Sequence, residues 1–366
     1  MKQDVIVIGA GIIGLATAER LLAQGATVTI LERNKVGQES SWAGGGILSP
    51  LCPWDYSDDV TRLTNYSSML FPAWVTALYE ATGIDTEFET SGMLVLPTFD
   101  KQAAQQWCAA HDVSIEEKIV TLPFFPASEI AKDNHQNIAN ALFLPNITQV
   151  RNPRLLHALK NQVLALDGKI IEYCTVQEIK TTQQKVQSVV TTDGMVHADQ
   201  YIVTAGAWSQ EILGRHALNL DIRPARGQML LFKFDSPPFH NILLQKNLYL
   251  IPRRDGHLLI GSTLEDVGFD KKTTAAARND LFQRALKLLP ILNDMPIIKQ
   301  WAGLRPASPQ NIPTIGQHPL LNNLYINSGH FRYGVTMAPA SAEILLNEII
   351  GAPQPFDTTA YRTGWG

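Results

Sequence analysis

The feature that most constrains this chain is a strand, a glycine-rich turn, a helix and a second strand within residues 5–32. Short β-branched runs at 5–8 and 27–31 predict the two strands, and the apolar spacing between them predicts a helix packed on a sheet. The turn has the spacing G-x-G-x-x-G, which is formed by Gly9, Gly11 and Gly14. This order of elements is typical of the first βαβ unit of an α/β fold that binds a dinucleotide.

Each position in this unit has a physical role. Gly9 permits the tight turn, Gly11 lets a pyrophosphate approach the backbone, and Gly14 lets the helix sit close to the strand. The free N–H groups and the dipole at the helix N-terminus favour the phosphates. Glu32 ends the second strand, where a carboxylate is expected to accept hydrogen bonds from ribose hydroxyls. The unit therefore predicts a bound dinucleotide.

A secretory signal is the alternative interpretation of the same stretch, because Lys2 precedes a largely apolar run. Asp4 lies in what would be the basic region, and no small-residue cleavage site closes the run. The run also divides into a strand period and a helix period. These observations favour the dinucleotide-binding unit.

Composition excludes several classes of function. The 366 residues are enough for two domains, and a net charge of −4 with no basic run longer than Arg253-Arg254 argues against nucleic-acid binding. No stretch reaches the roughly 18 apolar residues that a membrane span needs. The nine histidines show no paired metal spacing. Widely spaced cysteines argue against disulfides or a zinc site and predict a cytoplasmic protein; they are Cys52, Cys108 and Cys174.

The order of predicted elements indicates two interleaved domains. We expect helices at 59–82, from 153, at 273–288 and from 336, strands at 88–97 and 201–204, and an antiparallel sheet at 223–266. The predicted dinucleotide-binding domain comprises residues 1–82, 148–222 and 300–366, and the predicted substrate domain comprises 83–147 and 223–299. A common NAD dehydrogenase would continue its doubly wound sheet directly after the first unit. The interruption therefore favours FAD over NAD.

Two later stretches carry a family resemblance together with the N-terminal unit. They are "WAGLRPASPQNIPTIGQHP" at 301–319 and "NSGHFRYGVTMAPASA" at 327–342. Over nearly its whole length the chain resembles the D-amino-acid oxidase family of flavoproteins, and within it the glycine oxidases of thiamine biosynthesis. The resemblance implies an α/β fold with an FAD-binding Rossmann-like domain of the glutathione-reductase type. It also implies an inserted, mainly antiparallel-sheet substrate domain.

The resemblance implies which positions bind FAD. Ile12, Ile13, Glu32 and Arg33 would hold its adenosine and pyrophosphate, and Val176 would present its backbone to the adenine. The strand at 201–204 ends at Gly206, where close approach of the backbone is expected. Other predicted positions line the pyrophosphate and the flavin ring: Ser40, Ser41, Gly45, Gly46, Ile47, His330, Phe331, Arg332, Tyr333, Gly334, Val335 and Thr336. Because no cysteine near Arg305 matches the covalent tether of the sarcosine oxidases, we expect noncovalent FAD.

Other positions match the family's substrate site. Arg305 corresponds to the arginine that binds the substrate carboxylate, and a guanidinium offers two parallel donors to such a group. Tyr249 matches a tyrosine that orients the same carboxylate, and the backbone carbonyl of Arg332 is expected near the substrate amine. The chain departs from the family's pattern at three expected pocket positions, which leaves the preferred substrate open: Asn247, Ile47 and Leu264.

The implied reaction is oxidative deamination of glycine, sarcosine or a small D-amino acid. A hydride passes to the flavin, the imine hydrolyses to a 2-oxo acid and ammonia, and dioxygen reoxidises the flavin to give hydrogen peroxide. No side-chain acid or base is required, because the cofactor does the chemistry and the protein orients the substrate. We also expect a homo-oligomer. The alternatives are an amino-acid dehydrogenase that reduces a quinone or carrier, a non-catalytic flavin-binding protein and an NAD dehydrogenase.

Overall fold

The computed structural model describes residues 4–122, 124 and 137–365. Its strands, in chain order, are β1 (Asp4–Ile8), β2 (Thr27–Leu31), β3 (Glu89–Thr90), β4 (Met93–Leu96), β5 (Glu116–Leu122), β6 (Asn137–Leu144), β7 (Thr148–Gln149), β8 (Lys169–Ile171), β9 (Val176–Thr182), β10 (Lys185–Thr191), β11 (Gly194–Val196), β12 (Gln200–Val203), β13 (Arg223–Lys233), β14 (Ile242–Gln245), β15 (Leu248–Pro252), β16 (His257–Gly261), β17 (Lys299–Ala307), β18 (Thr314–Gln317) and β19 (Leu324–Ser328). Its α-helices are α1 (Ile12–Ala23), α2 (Ser40–Ala43), α3 (Asp58–Thr82), α4 (Lys101–Ala110), α5 (Asn152–Ala165), α6 (Ser209–Leu213), α7 (Ala275–Leu288) and α8 (Gly334–Ile350).

A six-stranded sheet forms the first layer of the fold, in the order β18-β19-β12-β1-β2-β8. Neighbouring strands run parallel except β18, which is antiparallel to β19. The central strand β1 alternates its side chains between two cores, as a pleated strand requires. Val5 and Val7 pack with the apolar faces of α1, α3, α5 and α8, whereas Ile6 and Ile8 pack with residues of the β9–β11 sheet. The sheet is therefore covered on both faces.

An eight-stranded sheet forms a second body of structure, in the order β17-β13-β16-β15-β14-β4-β6-β5. All neighbouring pairs are antiparallel except β14 and β4. One face packs against α7, while the other carries Met229, Tyr249 and Ile251 and contacts Ile47. The mainly antiparallel second sheet and the α/β first sheet are the architecture that the sequence predicted.

The structure corrects two details of the predicted organisation. The predicted strand at 88–97 divides into β3 and β4, which belong to different sheets, because Gly92 turns the chain with φ +63°. The second detail concerns residue 300, which the sequence analysis takes as a domain boundary. Strand β17 begins at Lys299, pairs along β13 and thus belongs to the eight-stranded sheet as far as Ala307. Among the described residues, no helix combines the length and hydropathy that a membrane crossing requires.

The parallel strands deliver several loops to one edge of the six-stranded sheet. The loops after β1, β2, β12 and β19 begin at the carboxyl ends of neighbouring strands. Ligands of open α/β sheets bind at this edge. Strand β17 returns the chain from the second sheet to β18 of the first, so that the two sheets meet beside the same loops.

We predict that Gly14 is required for packing rather than for ligand contact. A Cβ at Gly14 would collide with the Gly9 carbonyl oxygen and lie 2.7 Å from Thr204 Oγ1, so that α1 would have to move from β1. Gly14→Ala should lower the free energy of unfolding of the ligand-free protein by about 1–3 kcal/mol, measured by urea denaturation.

Gly11→Ala is the matched control, since its added methyl group meets only Ser41 Oγ at 3.2 Å. That variant should stay within about 0.5 kcal/mol of the parent protein. Equal losses in both variants would show that Gly14 has no special packing role.

Candidate active site

One elongated cavity lies where the two sheets meet. One end is formed by the turn after β1 and the end of β2, and the other by β13, β15 and β17 of the eight-stranded sheet. The predicted site residues that line it are Gly9, Gly11, Ile12, Ile13, Glu32, Arg33, Ser40, Ser41, Gly45, Gly46, Ile47, Val176, Gly206, Tyr249, Arg305, His330, Phe331, Arg332, Tyr333, Gly334 and Val335. Most of the predicted positions are thus brought together around a single space.

The dinucleotide-type turn leaves helix N–H groups directed at the first end of the cavity. Gly11 caps α1 without a side-chain hydrogen bond, and the first turn of the helix carries no acidic residue. The Ile12 N–H donates to Ser41 Oγ at 3.0 Å. Because the first N–H groups of a helix have no intrahelical acceptor, this end of α1 is suited to an anion.

Glu32 lies beside this turn and is 8 % exposed. Its two carboxylate oxygens accept hydrogen bonds from the N–H groups of Ala10 and Asn34, each at 2.9 Å. A carboxylate has about four acceptor positions, so two remain for a ligand. Glu32 therefore both fixes the turn and offers oxygen acceptors to hydroxyl groups in the cavity.

A glycine loop, defined here as residues 44–47, forms the middle of the wall. The buried side chain of Asn152 donates to the carbonyls of Ser41 and Gly44 at 2.9 and 3.1 Å. Gly46 has φ +74°, and a Cβ there would collide with the Val150 carbonyl oxygen. The loop thus needs glycine for its close contact with the chain behind it, and the cavity side of the loop is backbone.

Arg305 reaches the second end of the cavity from β17. Its guanidinium lies over Gly227 of β13, where any Cβ would overlap the guanidinium nitrogens. It donates to the Ser262 hydroxyl at 2.6 Å and to the Thr263 carbonyl at 3.2 Å. Both acceptors are neutral, so the guanidinium is held in place without having its charge compensated.

The charge at this end of the cavity is unbalanced. Within the described part of the chain, no carboxylate forms an ion pair with Arg305 or with Arg332, which also lines the cavity. Burial lowers the pKa of the Arg305 guanidinium, Tyr249 partly offsets that decrease, and Arg332 adds to it. A guanidinium nevertheless stays protonated in proteins. This end of the cavity is therefore suited to a small anion.

Tyr249 lies on β15 next to Arg305 and is 7 % exposed. Its hydroxyl contacts Met229 Sδ at 3.3 Å. A Cβ at Gly261 would lie 2.7 Å from the tyrosine ring, and a Cβ at Gly45 would lie 3.3 Å from it. Glycines on both sides therefore make room for the ring, and a sulfur, which is a weak acceptor, leaves the hydroxyl able to bind a ligand.

The loop before α8 supplies the remaining wall. His330 is 1 % exposed, its Nε2 contacts Ser341 Oγ at 2.9 Å, and burial lowers its pKa to about 3. The ring is therefore neutral at physiological pH. The Tyr333 ring packs edge-on against Tyr56 with the centroids 5.1 Å apart, and Thr336 Oγ1 donates to the Ile47 carbonyl at 3.2 Å. These contacts connect α8 with the glycine loop.

Four predicted site residues do not line the cavity. Asn247 accepts a hydrogen bond from Arg284 at 2.7 Å, and Leu264 is 51 % exposed, so the structure does not place either in the predicted substrate pocket. Asn247 lies in the turn between β14 and β15, and Leu264 lies beyond the end of β16. Gly14 packs α1 against β1, and Thr336 supports Ile47 from behind.

Sequence reasoning missed other cavity residues. Gly227 carries a signal, since an isolated glycine within a strand often marks a close approach. Asn152, Met229 and Trp208 carry none, because a buried amide, a strand methionine and a tryptophan are ordinary core residues. Such lining residues around the turn, the glycine loop and the second sheet include Leu51, Asn152, Cys174, Thr175, Thr204, Ala205, Trp208, Glu211, Gly227 and Met229.

Comparison with known proteins gives consistent results. A glycine oxidase from Pseudomonas aeruginosa is 40% identical over 367 residues, which cover 99% of this chain and 98% of that protein. A bifunctional protein ThiO/ThiG from Trichormus variabilis is 31% identical over 96% of this chain and 53% of its own length. The crystal structure of a glycine oxidase from Geobacillus kaustophilus superposes with a TM-score of 0.88, at 25% identity and 98% coverage of both chains.

The family model that describes FAD-dependent oxidoreductases of the DAO type matches residues 4–347. The match begins in β1 and ends within α8, so it includes both sheets and every wall of the cavity. This chain belongs to the DAO family of FAD-dependent oxidoreductases.

Proposed function

We propose that this protein catalyses the FAD-dependent oxidative deamination of a small amino acid, with glycine, sarcosine and small D-amino acids as the candidate substrates. The observation that carries the proposal is the uncompensated Arg305 guanidinium at one end of a cavity whose other end is built for a dinucleotide. The names of the relatives at 31–40% identity support glycine oxidation and a role in thiamine biosynthesis. We further propose that the two sheets mark the cofactor domain and the substrate domain.

The residues present fit FAD. The N-terminus of α1, where the N-cap Gly11 has no side chain, suits the pyrophosphate, and Glu32 has acceptors left for ribose hydroxyls. The glycine loop and the loop before α8 offer backbone along the rest of the cavity. The described cysteines are free, and Cys174 alone lines the cavity, where burial raises its thiol pKa. This setting supports noncovalent FAD, because a protonated thiol is a poor nucleophile.

The chain's own residues would bind and orient the substrate. Arg305 would donate two parallel hydrogen bonds to the carboxylate, and Tyr249 would donate a third. This clamp would direct the α-carbon toward the flavin, and FAD supplies the two-electron acceptor when it is bound. The cavity carboxylates Glu32, Glu39 and Glu211 belong to the opposite end, and His330 is neutral. Orientation, rather than side-chain acid–base chemistry, is therefore the protein's contribution.

The acceptor, the oligomeric state and the location complete the proposal. Dioxygen as the electron acceptor and a homo-oligomeric state come from the family resemblance. The three free cysteines support a reducing, cytoplasmic location.

A substrate panel tests the proposed function. Glycine, sarcosine, D-alanine and D-proline should each be mixed anaerobically with the purified holoprotein while the flavin absorbance is followed. At least one should bleach the flavin, and air should restore the colour with one hydrogen peroxide released per bleached flavin. Failure of every small amine to bleach the flavin would favour a non-catalytic flavoprotein, whereas bleaching without peroxide release would favour a dehydrogenase.

Glu32→Ala should weaken FAD binding without changing the order of substrate preference. The variant loses acceptors for the ribose hydroxyls and the bonds to Ala10 and Asn34, which lie far from Arg305. A hydrogen bond to a charged group contributes about 1.5–3 kcal/mol, so the dissociation constant should rise roughly 10- to 150-fold. Fluorescence titration of the apoprotein with FAD measures this change. An altered order of substrate preference after saturation with FAD would contradict the placement of Glu32 at the ribose.

Arg305→Ala should lower kcat/KM for amino acids by roughly 30- to several-thousand-fold, because loss of one partner of a buried charged pair costs about 2–5 kcal/mol. FAD occupancy and Tm should change little, since the guanidinium donates to a neutral hydroxyl and a neutral carbonyl rather than to a carboxylate of the fold. Steady-state kinetics with amino acids and with amines that lack a carboxylate provide the measurement.

Arg223→Ala is the matched control, because that arginine lies on the neighbouring strand with its side chain 77% exposed. It should leave kcat/KM unchanged. Equal losses for carboxylated and uncarboxylated amines in Arg305→Ala would show that Arg305 is structural rather than a carboxylate clamp.

A further inference from the structure

A buried arginine holds the glycine loop from outside the cavity. Arg253 follows β15 and is 3 % exposed, yet it is not among the residues that line the cavity. Its Nη2 donates to the Gly45 carbonyl at 2.6 Å, and its Nη1 donates to Gln149 Oε1 at 2.7 Å. The loop carbonyl therefore points away from the cavity, toward a cation behind the wall.

This contact fixes the direction of the next N–H group. In a trans peptide the C=O and N–H bonds point to opposite sides, and the Gly45–Gly46 bond is trans. Because the Gly45 carbonyl points out of the cavity, the Gly46 N–H points into it. Within the described residues this N–H has no hydrogen-bond partner, whereas the Gly46 carbonyl accepts from Val150 at 2.9 Å. A backbone donor is thus left available to a ligand.

The position along the cavity indicates which part of the ligand this donor meets. A Cβ at Gly45 would lie 2.5 Å from Ile251 Cδ1 and 3.3 Å from the Tyr249 ring, both at the Arg305 end. The turn after β1 and Glu32 form the other end. The Gly46 N–H therefore lies near the Arg305 end, which under the proposed function the flavin ring, rather than the adenosine, would occupy.

Among the residues that the structure describes, no carboxylate forms an ion pair with Arg253. Neighbouring carboxylates already bind other cations: Glu89 pairs with Arg254, and Glu87 and Asp255 pair with Arg151. Burial lowers the pKa of Arg253 to about 10, so it remains protonated at neutral pH. A buried cation that binds a carbonyl polarises the peptide, which strengthens the N–H as a donor.

We propose that Arg253 is a positioning residue that holds the Gly45–Gly46 peptide with its N–H directed at the flavin ring, where it stabilises the charge that the ring gains on reduction. The inference rests on FAD occupying the cavity, as in the proposed function, but not on the identity of the substrate. This role explains why the charged side chain of Arg253 is buried behind the glycine loop, although a neutral amide could donate the same hydrogen bond to the Gly45 carbonyl.

The midpoint potential of the bound flavin tests this role, measured by dye equilibration during slow enzymatic reduction without any amino acid. In R253Q, saturated with FAD, reduced flavin should bind about tenfold less tightly relative to oxidised flavin, which is a shift of about −30 mV for a two-electron couple. R253K keeps the positive charge and should change the ratio of the affinities for reduced and oxidised flavin by less than about threefold. R254Q is the matched control, since Arg254 is adjacent with its side chain 47% exposed, and should leave the potential unchanged.

A wild-type potential in R253Q would overturn the proposal, as would a shift in R253K as large as about tenfold. If R253Q does not bind FAD, R253K decides alone: a potential near that of the wild type supports the role of the cation, and a tenfold shift overturns it. Since the potential is measured without substrate, a failed substrate panel would contradict only the proposed function.

Discussion

The uncompensated charge of Arg305 in the cavity is the constraint on which the rest of the substrate end depends. A guanidinium partly removed from water without a counterion is costly, and within the described residues Arg305 donates to one hydroxyl and one carbonyl, both neutral. Gly227 makes room for the side chain. The segment after β16 carries the two acceptors, Ser262 and Thr263. It is itself held against β13, because Thr263 Oγ1 accepts from the Gln228 N–H at 2.9 Å and Arg226 pairs with Glu265 at 2.6 Å. These contacts hold the Arg305 guanidinium in position, and its charge is left available to an anionic ligand.

The two ends of the cavity present different kinds of polar group. At the first end, backbone N–H groups and one carboxylate are suited to phosphates and hydroxyls, which needs glycine and little side-chain charge. At the second end, side chains of the eight-stranded sheet present cationic and hydroxyl donors. The glycine loop lies between them and is fixed from behind by Asn152 and Arg253. Because the two sheets meet at the cavity, one ligand could contact both sets of groups.

The sequence alone predicted the α/β unit, because its glycine spacing and strand periods have few other structural explanations. It also predicted the mainly antiparallel second sheet and, through the family resemblance, about half of the residues that line the cavity. It did not predict the end of the second sheet at Ala307, since strand pairing of β17 with β13 is a long-range contact without a local signal. Asn247 and Leu264 do not line the cavity for a related reason: both lie in connections between elements, and a family pattern does not fix the direction of such a connection. In the sequence Arg253 is part of a short basic pair, and nothing local distinguishes it from its neighbour. The structure shows that Arg253 is buried, whereas Arg254 is exposed.

The central claim is that the Arg305 cation binds a carboxylate beside the flavin. Titration of the holoprotein with glycolate, a small carboxylate that lacks the amine, tests this claim directly. The account predicts saturable perturbation of the visible flavin spectrum, competition with the amino-acid substrate, and loss of both effects in Arg305→Ala that retains FAD. Equal glycolate affinity in the wild type and in Arg305→Ala would contradict it.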